Sequence, residues 1–164
     1  ALKTRLERDG YLFIRQLLPK KAVLKVRSRL LETAAAGGWL DKSTPIEAGV
    51  ANQAAACKDP EEPYIKVFQN LWRDEELHRL TTHSNVISFF DSIFGEPTLT
   101  HPGFVQRNIF PQRTNFDFTT RPHQDKPNIG GETNYALWVP IGDCPVEKGS
   151  LARKTEVWCY QERI

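Results

Sequence analysis

Two side chains in this sequence are of the right kind, at the right spacing, to hold a metal ion. In Arg121-Pro122-His123-Gln124-Asp125 the imidazole of His123 and the carboxylate of Asp125 stand two positions apart. On a β-strand, positions i and i+2 share a face. The pair would therefore aim one nitrogen and one oxygen at a common point. A neutral imidazole and a hard carboxylate suit ferrous iron, and His-x-Asp is two-thirds of the facial triad that leaves coordination positions open for co-substrate and oxygen. Strand parity turns Gln124 away from that point. The pattern is short, and a hydrogen-bonded surface histidine following a proline also satisfies it.

The elements that must carry this pair change character along the chain. Leu6 to Gly10 reads as a short polar helix ending at Gly10, with strand formers at Tyr11 to Ile14. Pro19 opens a helix of about four turns through Val23, Leu24, Val26, Leu30, Leu31 and Ala34, stopped by Gly37-Gly38. Residues 39–62 read as a loop rich in Pro, Gly and Ala. Tyr64 to Leu71 fits a strand or the start of a helix. Asp74 to Leu80 fits a short helix, acidic first and basic last. Ser84 caps a helix that ends at Gly95, with Val86, Ile87, Phe90, Ile93 and Phe94 on its inner side. After Gly95 the apolar period falls to two, and Thr98–His101, Phe104–Phe110, Thr133–Ile141 and Ser150 onward read as strands. Helices followed by antiparallel strands predict an α+β fold in one domain over residues 1–164.

Composition narrows the function classes. Hydrophobic residues make up 40% of the 164, with nine Phe, four Trp and four Tyr, which is enough for a core. Lys and Arg number 22 against 20 Asp and Glu, a net +2. That near-balance gives no reason to expect nucleic acid or a membrane surface as partner, and the basic residues look scattered, with Lys20-Lys21 the densest pair. No apolar run reaches the ~20 residues of a membrane span. Cys57, Cys144 and Cys159 are an odd set with no CxxC spacing and no signal-peptide pattern, which points to free thiols in a reducing, cytoplasmic setting. A cysteine-based enzyme is a poor reading.

Around the metal pattern a larger likeness emerges. His123-Gln124-Asp125, a strand carrying Trp138, and a turn ending in Gly149-Ser150-Leu151 resemble the phytanoyl-CoA dioxygenase family of Fe(II)- and 2-oxoglutarate-dependent oxygenases. RDGYLFIRQLL at residues 8–18 resembles that family's opening. FFDSIFGEPTLTHPGFVQRNIFPQ at residues 89–112 resembles the helix, turn and strand before its metal motif. The likeness covers about residues 5–152.

The resemblance implies a double-stranded β-helix (a cupin-like jelly roll) with N-terminal helices packed on one sheet. It implies Fe(II) held by His123 and Asp125, 2-oxoglutarate as co-substrate, and ascorbate as an accessory. It matches Lys66 in YIKVFQNLW to a lysine near 2-oxoglutarate, and Trp138 and Gln124 to residues of the same site. By residue type alone, Lys66 is a solvated lysine and Trp138 a core aromatic. The activity implied is oxidative decarboxylation of 2-oxoglutarate to succinate and CO₂, coupled to hydroxylation of a C–H bond in a small-molecule or acyl-CoA substrate. Residues 39–62 and 112–121 are the expected substrate loops.

The end of the chain departs from that family. A second iron-binding His and an Arg for the far carboxylate of 2-oxoglutarate are expected after Ala152, but no His follows His123, and Arg153 and Arg163 sit in no matching motif. His78, His83 and His101 lie upstream and read as structural. The sequence begins at Ala1 and contains no Met. Two accounts follow. Either the tail after Ala152 is unrelated sequence on a truncated or spliced product, or stretches written side by side are distant in the parent. The first predicts an inactive relative acting as a binding or regulatory protein, with an active oxygenase as its parent.

Overall fold

A computed structural model describes residues 2–110 and 134–145. Five α-helices organise them: α1 (Leu2–Asp9), α2 (Lys20–Ala36), α3 (Glu62–Trp72), α4 (Glu75–Thr81) and α5 (Ser84–Phe94). Two 3₁₀ turns, Ile46–Ala48 and Gln53–Ala55, punctuate the link between α2 and α3.

Helix α2 forms because Lys, Leu and Ala dominate it and Pro19 presets the backbone just before its first turn. Val26, Leu30 and Ala34 recur every four residues and are its buried stripe. It ends in a Schellman arrangement: Gly38 N–H donates to Ala35 O at 2.9 Å and Trp39 N–H to Ala34 O at 2.9 Å. That closure needs φ +77° at Gly38, a conformation that costs any residue with a β-carbon. It delivers Trp39, buried, into the core.

Helix α3 opens with Pro63 in its first turn and buries Tyr64, Val67 and Leu71, one face at helical spacing. The ambiguity at Tyr64–Leu71 is thus resolved as helix. Helix α4 is capped by Asp74, whose Oδ1 accepts from the backbone N–H of Glu76 (3.0 Å) and Leu77 (3.2 Å). Glu75 and Glu76 in its first turn and His78 and Arg79 in its last complement the helix dipole. Helix α5 is capped by His83 rather than Ser84: His83 Nδ1 accepts from Asn85 N–H at 3.1 Å. Gly95, in the left-handed region, ends it.

The core lies where α2 meets α3 and α4. Trp39 stacks on Tyr64 with centroids 5.3 Å apart, and Phe110 meets Trp39 edge-on at 5.4 Å. Leu71 and Val26 are wholly enclosed, each worth about 1.5–3 kcal/mol of apolar burial. The loop between α2 and α3 is tied to this core. Leu40 bridges Ala51 in antiparallel fashion, and Asn52 donates from its backbone N–H to Trp39 O at 2.8 Å and from Nδ2 to Gly38 O at 3.0 Å.

The jelly roll expected from the sequence is not what forms. Half of the described residues are helical, and no sheet exists among them. Tyr11–Ile14, Thr98–His101, Phe104–Phe110 and the described part of Thr133–Ile141 carry no strand pairing. Phe104–Phe110 shows why the pattern misled. Gln106 and Phe110 are buried while Val105, Arg107 and Ile109 are exposed, the two-residue alternation of an extended chain. That face is buried against helices: Phe104 stacks on Trp72 of α3 at 5.9 Å. Period two records one buried face and does not say what covers it. Among the described residues, α2 and α5 accordingly pack on helices and irregular chain, not on the outside of a sheet. The stretch from Ser150 onward and the junction at 152–153 lie outside the described residues.

Candidate functional site

Trp138 lines one of two open clefts among the described residues. The segment Asn134–Pro145 lies across the entry to α2, and a cleft of about 160 Å³ opens between Leu137–Pro140 on one side and Gln16, Leu17, Leu18 and Val23 on the other. Helix α5 positions both walls. Asn85 Nδ2 donates to Leu17 O at 2.9 Å, and Phe90 and Phe94 pack on Tyr135 with centroids 6.4 and 5.7 Å away. Arg27 of α2 lies against the far end of the segment. Its Nη2 donates to Glu47 O at 3.1 Å, and its guanidinium lies so close over Gly142 that a β-carbon there would overlap it.

Gln16 is the residue that sequence reasoning missed. Its φ of +59° is left-handed, an uncommon conformation for a residue with a β-carbon. It lies in a bend between the partly exposed stretch at 11–15 and the cleft wall at Leu17-Leu18. Neither Gly nor Asn stands there, so nothing in the sequence signals the turn.

Trp138 itself is 47% exposed. It caps an apolar cleft and does not face the inside of a barrel. Lys66 lies elsewhere, on the outer side of α3, beside an open cleft of about 480 Å³ lined by Gly37, Glu62, Pro63, Val67 and Asn70. Its Nζ pairs with Glu62 one turn earlier at 2.8 Å. Each partner's hydrogen bond, then its charge, holds the other ionised: Glu62 below the ordinary carboxylate range and Lys66 above the ordinary amine range. The two clefts share no lining residue. His123, Gln124 and Asp125 lie outside the described residues.

By residue type alone, His123 and Asp125 are two donors of a kind that ferrous iron accepts. They would offer one nitrogen and one hard oxygen. Among the described residues no group of three His, Cys, Asp or Glu could hold a metal ion. The three described histidines are engaged locally. His78 Nε2 lies 2.8 Å from Trp72 O with its ring edge-on to Phe104, His83 caps α5, and His101 Nδ1 accepts from Gly103 N–H at 3.0 Å.

No protein-family model matches the chain, and no solved structure does. The likeness to the phytanoyl-CoA dioxygenases therefore stands on the quoted residues. No helix among the described residues is long and apolar enough to cross a membrane.

Cys57 is buried at the core edge, and burial pushes its thiol above the ordinary range, with a smaller push from Glu61. Such a thiol is a packing group rather than a nucleophile.

Proposed function

We propose that this chain carries the metal-binding portion of an Fe(II)- and 2-oxoglutarate-dependent oxygenase acting on a small-molecule or acyl substrate. The single observation behind this reading is His123-Gln124-Asp125 in its quoted surroundings. In this reading His123 and Asp125 hold Fe(II) and leave positions open on the metal. With 2-oxoglutarate bound, the metal supplies the oxidative decarboxylation that drives C–H hydroxylation. Trp138, with Leu17, Leu18 and Val139 in the same cleft, offers an apolar wall to a bound organic molecule. By the resemblance Gln124 belongs to the co-substrate site, although strand parity turns it away from the metal. Lys66 would have to leave Glu62 to meet a carboxylate at the Trp138 cleft. The free thiols of Cys57 and Cys144 support a reducing, cytoplasmic setting.

The test is an anaerobic titration of the chain with Fe(II) and 2-oxoglutarate. A visible charge-transfer band that disappears in His123→Ala and Asp125→Ala is the expected result. A band that survives both substitutions would remove the reading.

A second reading, a binding protein without turnover, is favoured by one observation: Lys66 and Trp138 open on different clefts. Under it the chain forms no succinate even where Fe(II) binds. Succinate release from 2-oxoglutarate by the purified chain, dependent on Asp125, excludes it.

A further inference from the structure

The net charge of +2 hides a strong asymmetry. Residues 3–29 carry nine Lys and Arg against Glu7 and Asp9, a local +7 within that total. The remainder of the chain is correspondingly acidic. Arg8 pairs with Asp9, Lys25 with Glu76 and Arg29 with Asp74, whereas Lys3, Arg5, Arg15, Lys20 and Lys21 meet no carboxylate among the described residues. All five are exposed.

Apolar side chains are exposed among these cations. Along 11–15 exposure alternates, with Tyr11, Phe13 and Arg15 outward and Leu12 and Ile14 turned partly in. Phe13 is 78% exposed, and the Arg15 guanidinium stands 5.6 Å from its ring centroid. On α2, Leu24 is exposed one turn after Lys20 and beside Lys21, opposite the stripe of Val26, Leu30 and Ala34.

We infer that this N-terminal surface docks on an anionic lipid bilayer, with Phe13 and Leu24 entering the headgroup boundary and Arg15, Lys20 and Lys21 meeting lipid phosphates and carboxylates. Charge complementarity points to an anionic partner. The exposed apolar side chains decide which one. Phe13 could stack on a base, but the aliphatic Leu24 gains nothing from bases or phosphates in water, whereas aromatic and aliphatic groups flanked by Lys and Arg both partition into the bilayer interface. With no helix among the described residues able to span, such contact is peripheral and salt-dependent.

The experiment is vesicle co-sedimentation of the full 164-residue chain. Vesicles are pure phosphatidylcholine, or phosphatidylcholine with about 30% phosphatidylserine. The chain should pellet with the anionic vesicles at about 0.05 M salt and dissociate at about 0.5 M. Lys20→Glu with Lys21→Glu should weaken binding about tenfold or more, and Phe13→Ser about fivefold. Both variants alter exposed side chains only, and unchanged circular dichroism verifies that they fold. Equal binding to neutral vesicles, no binding to either, or variants that bind like the parent would overturn the proposal. So would preferential binding of a single-stranded RNA oligonucleotide that strips the chain from vesicles, which would assign the surface to nucleic acid.

Discussion

The inner and outer faces of the helical body carry ion pairs of nearly the same length. Arg29 Nε meets Asp74 Oδ2 at 2.6 Å between α2 and α4, and Lys66 Nζ meets Glu62 Oε1 at 2.8 Å along α3. Their surroundings differ. The Asp74 side chain is 7% exposed, while Lys66 and Glu62 are 72% and 79% exposed. Asp74 also caps α4 through two backbone N–H groups. One carboxylate joins two helices and starts one of them. The other pair can break and let water take its place at almost no cost. Distance alone does not rank such contacts; what each atom would meet on separation does.

The contrast is sharpest between two residues of α3. Leu71 faces inward with no exposure at all. Leu71→Ala should destabilise the chain by about 3 kcal/mol, lost transfer energy plus a residual cavity. Urea unfolding followed by circular dichroism measures it. A loss under about 1 kcal/mol would mean that the core between α2, α3 and α4 collapses to fill the hole.

Next in size is Asp74→Ala, which should cost about 2 kcal/mol, shared between the cap and the charge-assisted bond to Arg29. Arg29 is half-exposed and can return to water, which limits the loss. Asp74→Asn keeps a capping oxygen and should recover about half. If Asn proves as costly as Ala, the charge and not the cap holds α4. Gly38→Ala follows at roughly 1 kcal/mol, the cost of a β-carbon in the left-handed conformation. The same denaturation measurement checks it.

These sites also mark what was legible in the sequence. Pro19 before α2 and Gly37-Gly38 after it are chemical punctuation, because one presets φ and the other permits a positive φ. Asp74 with acids first and bases last wrote α4 just as directly, and Gly95 wrote the end of α5. The body from Phe104 to Phe110 was read correctly as alternating and wrongly as sheet, because alternation reports a buried face without naming its cover. Tyr64–Leu71 was ambiguous because its apolar run is short, and only its partners in α2 and α4 settle it as helix. Of the candidate site, Trp138 was legible as an aromatic of interest. Its cleft was not, since the wall depends on a left-handed Gln16 and on Asn85 reaching Leu17 from a distant helix. His123 and Asp125 remain a statement about residue type and spacing.

Lys66→Ala is the smallest effect and separates the two functional readings. The exposed pair with Glu62 predicts a stability change below about 0.5 kcal/mol, visible as an unchanged melting temperature. Any change in ligand affinity in this variant therefore reports contact and not folding. A lysine that grips a carboxylate of 2-oxoglutarate would lose about tenfold in affinity on truncation. Geometry favours no loss: Lys66 is held by Glu62 on a cleft that shares no wall with Trp138. Glu62→Gln sharpens the result. It frees the ammonium without removing it, so affinity should rise if Lys66 swings to the co-substrate and stay constant if it remains a solvated residue. Isothermal titration with 2-oxoglutarate and a redox-inert divalent metal reads both variants.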